Sequence, residues 1–449
     1  MSAPSRPPGQ DPRGRPHGRA PAGRVQRAYS WLLALLIPAY LARLWWRGRR
    51  EPLYRHAFGE RLGRYRGEGP AGVDLWLHAV SLGETRAAGA LVDALRVERP
   101  GLRLLLTHGT ATGRQAGLAL MRPGDLQAWL PVDTLGATRR FFRHFRPALG
   151  VLMETEVWPN LLQAAQEAQV PVVLANARLS ERSQRRGERV AALLRPAAEA
   201  LSLVLAQTEA DADRLRRSGA RQVEVCGNLK FDMAPDPMLL QTGREWRAAL
   251  GQPVLLAAVT REGEEAMLLN AWLKQPEQTR GRLLIVPRHP QRFDEVSALL
   301  RSLGLSQSRR SSWGAQPGEE ARLAQVWLGD SMGEMPLYYG LADVALLGGS
   351  FAPLGGQNLI EAAACACPVV MGPHTFNFAQ AAELALAAGA ALRAADMIEG
   401  VSRACHLLQG DSRETHARRA IAFAAAHQGA ARRMAARIAV WLPQDIRSA

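Results

Sequence analysis

Cysteine is scarce in this chain. Four occur in 449 residues, at 226, 365, 367 and 405, with no Cys-x-x-Cys pair and no histidine at partner spacing. That argues against a disulfide framework and against a zinc site, and points to the cytosolic side. Lysine is scarcer still: of 56 basic residues only Lys230 and Lys274 are lysines. Generic positive charge is carried by arginine here, so Lys230, beside a proline-marked break, reads as a compact ammonium placed for a purpose; a plain surface charge is the rival reading. Lys274 falls on a surface helix. The apolar run Trp31–Leu41 has eleven residues and contains Pro38, short of the roughly 20 a bilayer span requires. No Gly-x-Gly-x-x-Gly falls between a strand and a helix with an acidic residue about 20 positions on, which removes the fingerprint of a dinucleotide oxidoreductase.

What is present is globular: 47% of residues are apolar, and the length exceeds one typical core, so two domains are expected. The net charge of +15 is uneven. Residues 1–50 hold ten Arg against the single Asp11. Six prolines in residues 1–25, with few large apolar side chains, predict a disordered basic tail over 1–27, and no basic-aromatic module accompanies it that would bind nucleic acid. Residues 28–50 read as an anchor helix. Its apolar run ends in Arg43, Trp45, Trp46 and Arg47, a composition suited to monotopic insertion beside anionic lipid. A cleaved signal peptide competes less well, because arginines follow directly and no small-x-small site stands near Ala42. An ordinary buried helix is the third option.

From Val73 onward short apolar strands alternate with longer helical patterns: Val73–Val80, Leu102–His108, Ala128–Val132, Leu149–Met153, Val172–Ala175, Leu201–Ala206 and Val223–Val225. A break at Phe231–Pro237 follows, and alternation resumes at Val254–Val259, Leu283–Val286, Val326–Leu328, Val344–Leu347 and Val369–Met371. The pattern predicts an α/β chain of two Rossmann-like, doubly wound domains, over 51–234 and 235–449. Ligands bind beyond the C-terminal ends of such strands, and an active site facing an interdomain cleft is the expectation.

Those strand ends carry the polar signatures. Ser81-Leu-Gly83-Glu84 sets a carboxylate where a helix begins; Glu84 is either a general base or the acidic member of a capping box with Ser81. Thr107-His-Gly-Thr-Ala-Thr112-Gly113 is either a hydroxyl-rich contact or an N-cap turn. Glu154 and Glu156 follow another strand, one expected to face the site and one solvent, with capping as the alternative. In the second half Val286-Pro287-Arg288-His289 offers a cationic clamp, and Met332-Gly333-Glu334 ends a further strand. Gly348-Gly349-Ser350 through Gly355-Gly356-Gln-Asn358-Leu359-Ile360-Glu361 reads as a glycine-rich loop before a helix, where unpaired N–H groups would face a phosphate. Glu361 would accept ribose hydroxyls or merely favour the helix dipole.

Together these motifs, with Ala175-Asn-Ala-Arg178-Leu-Ser180, Gly227–Asp232, Gly263-Glu-Glu and Gly372–Phe378, resemble the 3-deoxy-D-manno-octulosonic acid (Kdo) transferases that act on the lipid A precursor. The resemblance runs from about Trp31 to Gln428. It implies a GT-B glycosyltransferase fold, CMP-Kdo as donor, lipid IVA as acceptor, inversion at the anomeric carbon, no metal and no cofactor. It also implies a peripheral or monotopic location at the cytoplasmic face of the inner membrane. By the same resemblance Glu84 is the base, and Glu154 and Lys230 stabilise the transition state. Pro287, Arg288, Met332, Gly333, Glu334, Asn358, Leu359, Ile360 and Glu361 contact the donor, and Ser81, Gly83, Arg178, His374 and Asn377 are further substrate contacts. The chain departs from the family pattern in having Arg261 where His is usual, Leu359-Ile360 for Pro-Leu, and Thr-His-Gly-Thr after the second strand. A GT-B enzyme using a UDP-sugar and a non-catalytic nucleotide- or lipid-binding protein are the alternatives; competition by CMP against UDP separates the first of these.

Overall fold

The structure is a computed structural model, and it describes residues 23–443 except 68, 70, 71, 315 and 411. Of the expected basic tail, residues 1–22 lie outside the described part. The next residues are helical. The N-terminal helix runs Arg24–Arg47, four residues ahead of the expected start, with Gly23 as its N-cap, and it passes through Pro38 without ending. Nothing after Pro21 stops helix formation before Pro38, and one interior proline can kink a helix of this length rather than terminate it.

The chain divides into two compact units, Met1–Asp232 with Gln428–Ala449, and Met233–His427. The first contains a parallel sheet of β1 (Val73–His78), β2 (Leu104–His108), β3 (Leu126–Trp129), β4 (Pro147–Met153), β5 (Val172–Ala177), β6 (Leu203–Ala206) and β7 (Val223–Val225), in the order β3-β2-β1-β4-β5-β6-β7. Parallel strands are covered on both faces, which is why these segments read as nearly unbroken apolar runs. Successive side chains serve opposite layers. Leu75, Leu77, Leu104, Leu106, Leu149 and Val151 enter one core, and Trp76, Leu105, Leu152 and Leu174 the other. Gly150 makes room for Trp76: a Cβ there would lie 2.8 Å from the indole ring.

The second unit repeats the plan with β8 (Val254–Thr260), β9 (Arg282–Pro287), β10 (Gln307–Arg309), β11 (Val326–Leu328), β12 (Val344–Leu347), β13 (Val369–Met371) and β14 (Ala391–Arg393), all parallel, in the order β10-β11-β9-β8-β12-β13-β14. β10 and β14 were not expected. They are the two edge strands, half covered and only three residues long, so Gln-Ser-Arg and Ala-Leu-Arg carry no apolar run to betray them.

The boundary at the C-terminal end also differs from expectation. The second domain stops at His427, and the closing helix Ala430–Ala439 returns to the first unit. Its Ala430, Met434, Ala435 and Ile438 are buried in the core that contains Leu91 and Leu95. Asp232 seats it, accepting the N–H groups of Gly429 and of Ala431, the latter at 2.6 Å. Ile438→Ala should therefore destabilise the first domain by about 2–5 kcal/mol, read as a lowered urea midpoint of that domain's unfolding.

Candidate active site

The order of strands reverses between β1 and β4 in the first sheet and between β8 and β12 in the second, where β10 and β11 are also exchanged at one edge. Crossovers leave such a point in opposite directions, opening a crevice at the C-terminal strand ends. The first-domain candidates Glu84 and Glu154 follow the two strands that flank the first reversal.

Glu84 takes part in the cap at the start of its helix. Ser81 caps the helix Leu82–Glu98, its hydroxyl oxygen accepting the Glu84 N–H at 3.4 Å. The carboxylate in turn accepts the Val80 N–H at 2.9 Å and the Ser81 hydroxyl at 2.9 Å. The backbone N–H that the carboxylate accepts is that of Val80, rather than that of Ser81, which a capping box would use. Even so, burial pushes the Glu84 carboxyl above its ordinary pKa, with Glu154 adding to the rise and Arg178 opposing it. Gly83, in the first turn, is exposed.

Glu154 sits in the left-handed region at φ +58°, unusual for a residue with a Cβ and a sign that surrounding contacts hold it. Its N–H donates to Ala175 at 2.9 Å, and Arg178 Nε lies 3.2 Å from its carboxylate. Neither of the two carboxylates is solvent-exposed, where one was expected to be: Glu154 is buried and Glu156 half-buried, while Thr155 between them is exposed. Burial raises the Glu156 carboxyl to about 7 despite a 2.6 Å hydrogen bond from Trp158 Nε1, and Glu84 and Glu154 add like charge. Lys230 lies in a short 3-10 turn, Leu229–Asp232. Burial lowers its pKa, the charges of Glu154 and Glu84 raise it, and Arg178 lowers it. Glu84, Glu154, Arg178 and Lys230 are thus brought within electrostatic reach of one another.

Two features went unnoticed in the sequence. Asn176, fully buried at φ +52°, accepts the Leu229 N–H at 3.1 Å with its side chain and the Gln207 amide at 2.9 Å with its carbonyl, tying the Lys230 turn to the end of β5. The available signal was an Asn directly after an apolar strand, a residue that tolerates the left-handed region. The chain's single Asp-x-Asp, Asp211-Ala-Asp213, was also passed over. It lies in the helix Glu209–Arg217, where Asp211 accepts the Leu179 N–H at 2.9 Å and Asp213 pairs with Arg216.

In the second domain the glycine-rich turn is organised differently from the expectation of free N–H groups. Glu264, fully buried, accepts the N–H groups of Gly349 at 2.7 Å, Phe351 at 3.2 Å, Ala352 at 3.3 Å and Arg261 at 2.9 Å. A protein carboxylate already fills this turn. Arg261 contributes through its backbone, which makes that contact independent of the side chain standing there. Gly349, at φ +69°, takes the left-handed conformation, and Asn377 closes the loop, its N–H on Gly355 at 3.0 Å and its amide on Leu354 at 3.1 Å. The His374 N–H reaches Ser350 at 3.0 Å.

Asn358 caps the six-residue helix Leu359–Ala364 through the Ile360 N–H at 3.2 Å. Leu359 and Ile360 have buried side chains, so any donor contact from them falls to the backbone. Glu361 is half-buried. Pro287 is buried at the end of β9, while Arg288, Met332 and Gly333 are exposed. Glu334 pairs with Arg310 at 2.9 Å and also accepts the Ser331 hydroxyl.

Two doubly wound parallel sheets, each with its polar loops at a strand-order reversal, define a two-domain α/β protein of the GT-B fold class. Solved structures agree on the fold: a glycosyltransferase from Rickettsia africae (12% identity, TM-score 0.55) and a UDP-GlcNAc 2-epimerase from Neisseria meningitidis (15%, TM-score 0.54) each match 82% of this chain and 98% of their own. A family model described as 3-Deoxy-D-manno-octulosonic-acid transferase (kdotransferase) matches residues 56–233. The Bordetella pertussis 3-deoxy-D-manno-octulosonic acid transferase is 47% identical over 92% of this chain and 99% of its own length. The Haemophilus influenzae protein of the same name is 36% identical over 78% and 82%. The chain belongs to the Kdo transferase family and is a glycosyltransferase.

Two measurements test the site's electrostatics and its scaffold. The folded-state pKa of Glu156 lies above its unfolded value, so this carboxyl costs stability as pH rises toward and through 7, and costs nothing below about 4. Glu156→Gln should raise Tm at pH 8 and leave it unchanged at pH 4. Glu264→Gln keeps the size but turns one carboxylate oxygen into an NH2 that cannot accept; the second domain should lose about 1–3 kcal/mol in chemical denaturation.

Proposed function

We propose that this enzyme transfers Kdo from CMP-Kdo to the lipid A precursor, lipid IVA, with inversion at the anomeric carbon. The observation that carries the reading is the 47% identity with a Kdo transferase along nearly the whole of both chains. The local chemistry supports it. Glu84 keeps lone pairs beyond the two donors it accepts, and a carboxylate made more basic by burial is a better proton acceptor for a sugar hydroxyl. As that hydroxyl attacks the anomeric carbon, charge develops on the departing CMP phosphate. Glu154 and Lys230 then act on the transition state, Lys230 as a partly desolvated cation where fixed charge is worth most. Arg178, with Arg182, Arg185 and Arg186 on the exposed helix Glu181–Glu188, suits an acceptor that carries phosphate. On the donor side the backbone after β9 at Pro287 and Arg288, the turn Met332–Glu334, and the segment Asn358–Glu361 serve CMP, with His374 and Asn377 shaping the glycine-rich loop.

The N-terminal helix supports a monotopic seat. It is the one described helix long and apolar enough to cross a membrane. Yet it turns a half-buried stripe, Gln26, Tyr29, Ser30, Leu33, Ile37, Leu41 and buried Leu44, toward its own domain. The exposed faces carry Trp31, Leu32, Leu35, Leu36, Trp45 and Trp46. A helix attached to a folded domain along its length lies in the interface plane rather than across the bilayer. Anionic lipid at the cytoplasmic face of the inner membrane suits the neighbouring arginines.

Mass spectrometry of lipid IVA incubated with the enzyme and freshly generated CMP-Kdo should show addition of Kdo, inhibited by CMP and not by UDP. Glu84→Gln should lower kcat by roughly 10²–10⁴-fold with folding intact. No shift with folded wild-type protein, or inhibition by UDP alone, would sink the assignment.

A further inference from the structure

The N-terminal helix makes a contact that an anchor alone does not require. Its first two turns are hydrogen-bonded to the start of the helix Pro159–Glu167, the element that directly follows Glu154 and Glu156. Gln26 Nε2 donates to the Pro159 carbonyl at 3.2 Å. The Ser30 hydroxyl donates to Asn160 Oδ1 at 3.0 Å. Tyr29 reaches deeper, its phenol donating to Asp133 Oδ2 at 3.0 Å.

Asp133 is the centre of this cluster. It is buried, and it caps the second helix from outside, accepting the Leu161 N–H at 2.7 Å on one oxygen and the Asn160 N–H at 3.2 Å on the other. Asn160, itself fully buried, returns a 2.6 Å bond from its amide to the Asp133 carbonyl. Burial raises the Asp133 carboxyl to about 6, against the pull of these donors. Two N–H groups at a helix start, normally met by a local side chain or water, are met by one carboxylate whose third donor comes from the membrane-facing helix.

The other side of Pro159 is the loop with the carboxylates. Trp158, adjacent to Pro159, donates its indole N–H to Glu156 at 2.6 Å. Glu154, two residues before Glu156, is held at φ +58°, a conformation that persists only where contacts on both sides enforce it. The β4 strand fixes the loop at one end. The Pro159–Asn160 corner fixes it at the other, and that corner is fastened to Gln26, Tyr29 and Ser30.

We infer that Gln26, Tyr29 and Ser30, acting through Asp133 and Asn160, are positioning residues for the Glu154–Trp158 loop, so that the helix seated at the membrane also sets the geometry of the reaction. The inference rests on the proposed catalytic role of Glu154. It differs from simple anchoring in what it demands: loosening these hydrogen bonds changes turnover even where the protein is held in micelles and membrane recruitment plays no part.

The test is full-length Tyr29→Phe, alone and combined with Ser30→Ala, in detergent micelles, followed by amide hydrogen exchange across 153–162 and by separate kcat and KM values. Tyr29→Phe leaves the ring and removes only the hydroxyl, so the fold survives. The expected result is faster exchange in 153–162, a kcat lowered roughly 10- to 100-fold in the double variant, as for an ångström-scale misplacement of catalytic groups, and an unchanged KM for CMP-Kdo. Unchanged exchange in that segment would overturn the coupling itself. Faster exchange with undiminished kcat would instead remove the loop from the chemistry, overturning the role of Glu154 and with it the inference.

Discussion

A parallel sheet forces all its strands to end on one edge. That single constraint organises both domains, because every βα loop then collects at the same side and every side chain that caps a helix there is a neighbour of the next strand's cap. Glu84 and Glu154 come from strands β1 and β4, far apart in sequence and adjacent in register, with His78 opposite Leu152. Neither carboxylate needs a special scaffold beyond the reversal of strand order between them.

At these strand ends stability and chemistry draw on the same hydrogen bonds. Ser81 and Glu84 form a helix cap whose acidic member is also the proposed base. Glu264 shows the converse. It too stands just after a strand end, yet four backbone N–H groups absorb it completely. Backbone strain gathers in the same places, with Glu154, Asn176 and Val259 all at positive φ where β4, β5 and β8 finish. A β-branched valine in that region is costly, and it is held where its carbonyl presses on Gly348, whose missing side chain alone makes the approach possible.

Much of this was legible before any coordinates. Buried parallel strands announce themselves as apolar runs, so all seven strands of the first sheet and the five apolar strands of the second could be read, and Gly-Gly-Ser at the end of β12 marked a loop under close approach. What escaped had a physical reason. β10 and β14 are edges with too little burial to leave a pattern. The partners of a backbone N–H cannot be inferred from spacing, which is why the glycine loop read as an open anion cradle rather than one closed by Glu264. The expectation that one of Glu154 and Glu156 faces solvent did not hold because the chain leaves the strand there: Thr155 takes the exposed position, and Trp158 draws Glu156 inward. The return of the closing helix was hidden for a similar reason: Ala430, Met434 and Ile438 state that a helix has an apolar face, not which core receives it.

That return makes the first domain discontinuous in the chain. Its sheet can be complete when Asp232 leaves the ribosome, but the core around Leu91 and Leu95 stays open on one side until everything from Met233 to the closing helix has been synthesised. At about 5–20 residues per second this is a delay on the order of tens of seconds. During that interval an unfinished hydrophobic surface coexists with the apolar faces of the N-terminal helix. A nascent chain with two such surfaces, one on the N-terminal helix and one awaiting the helix Ala430–Ala439, is open to misassociation for that interval, and a chain shortened before Ala430 would leave the second surface exposed for good.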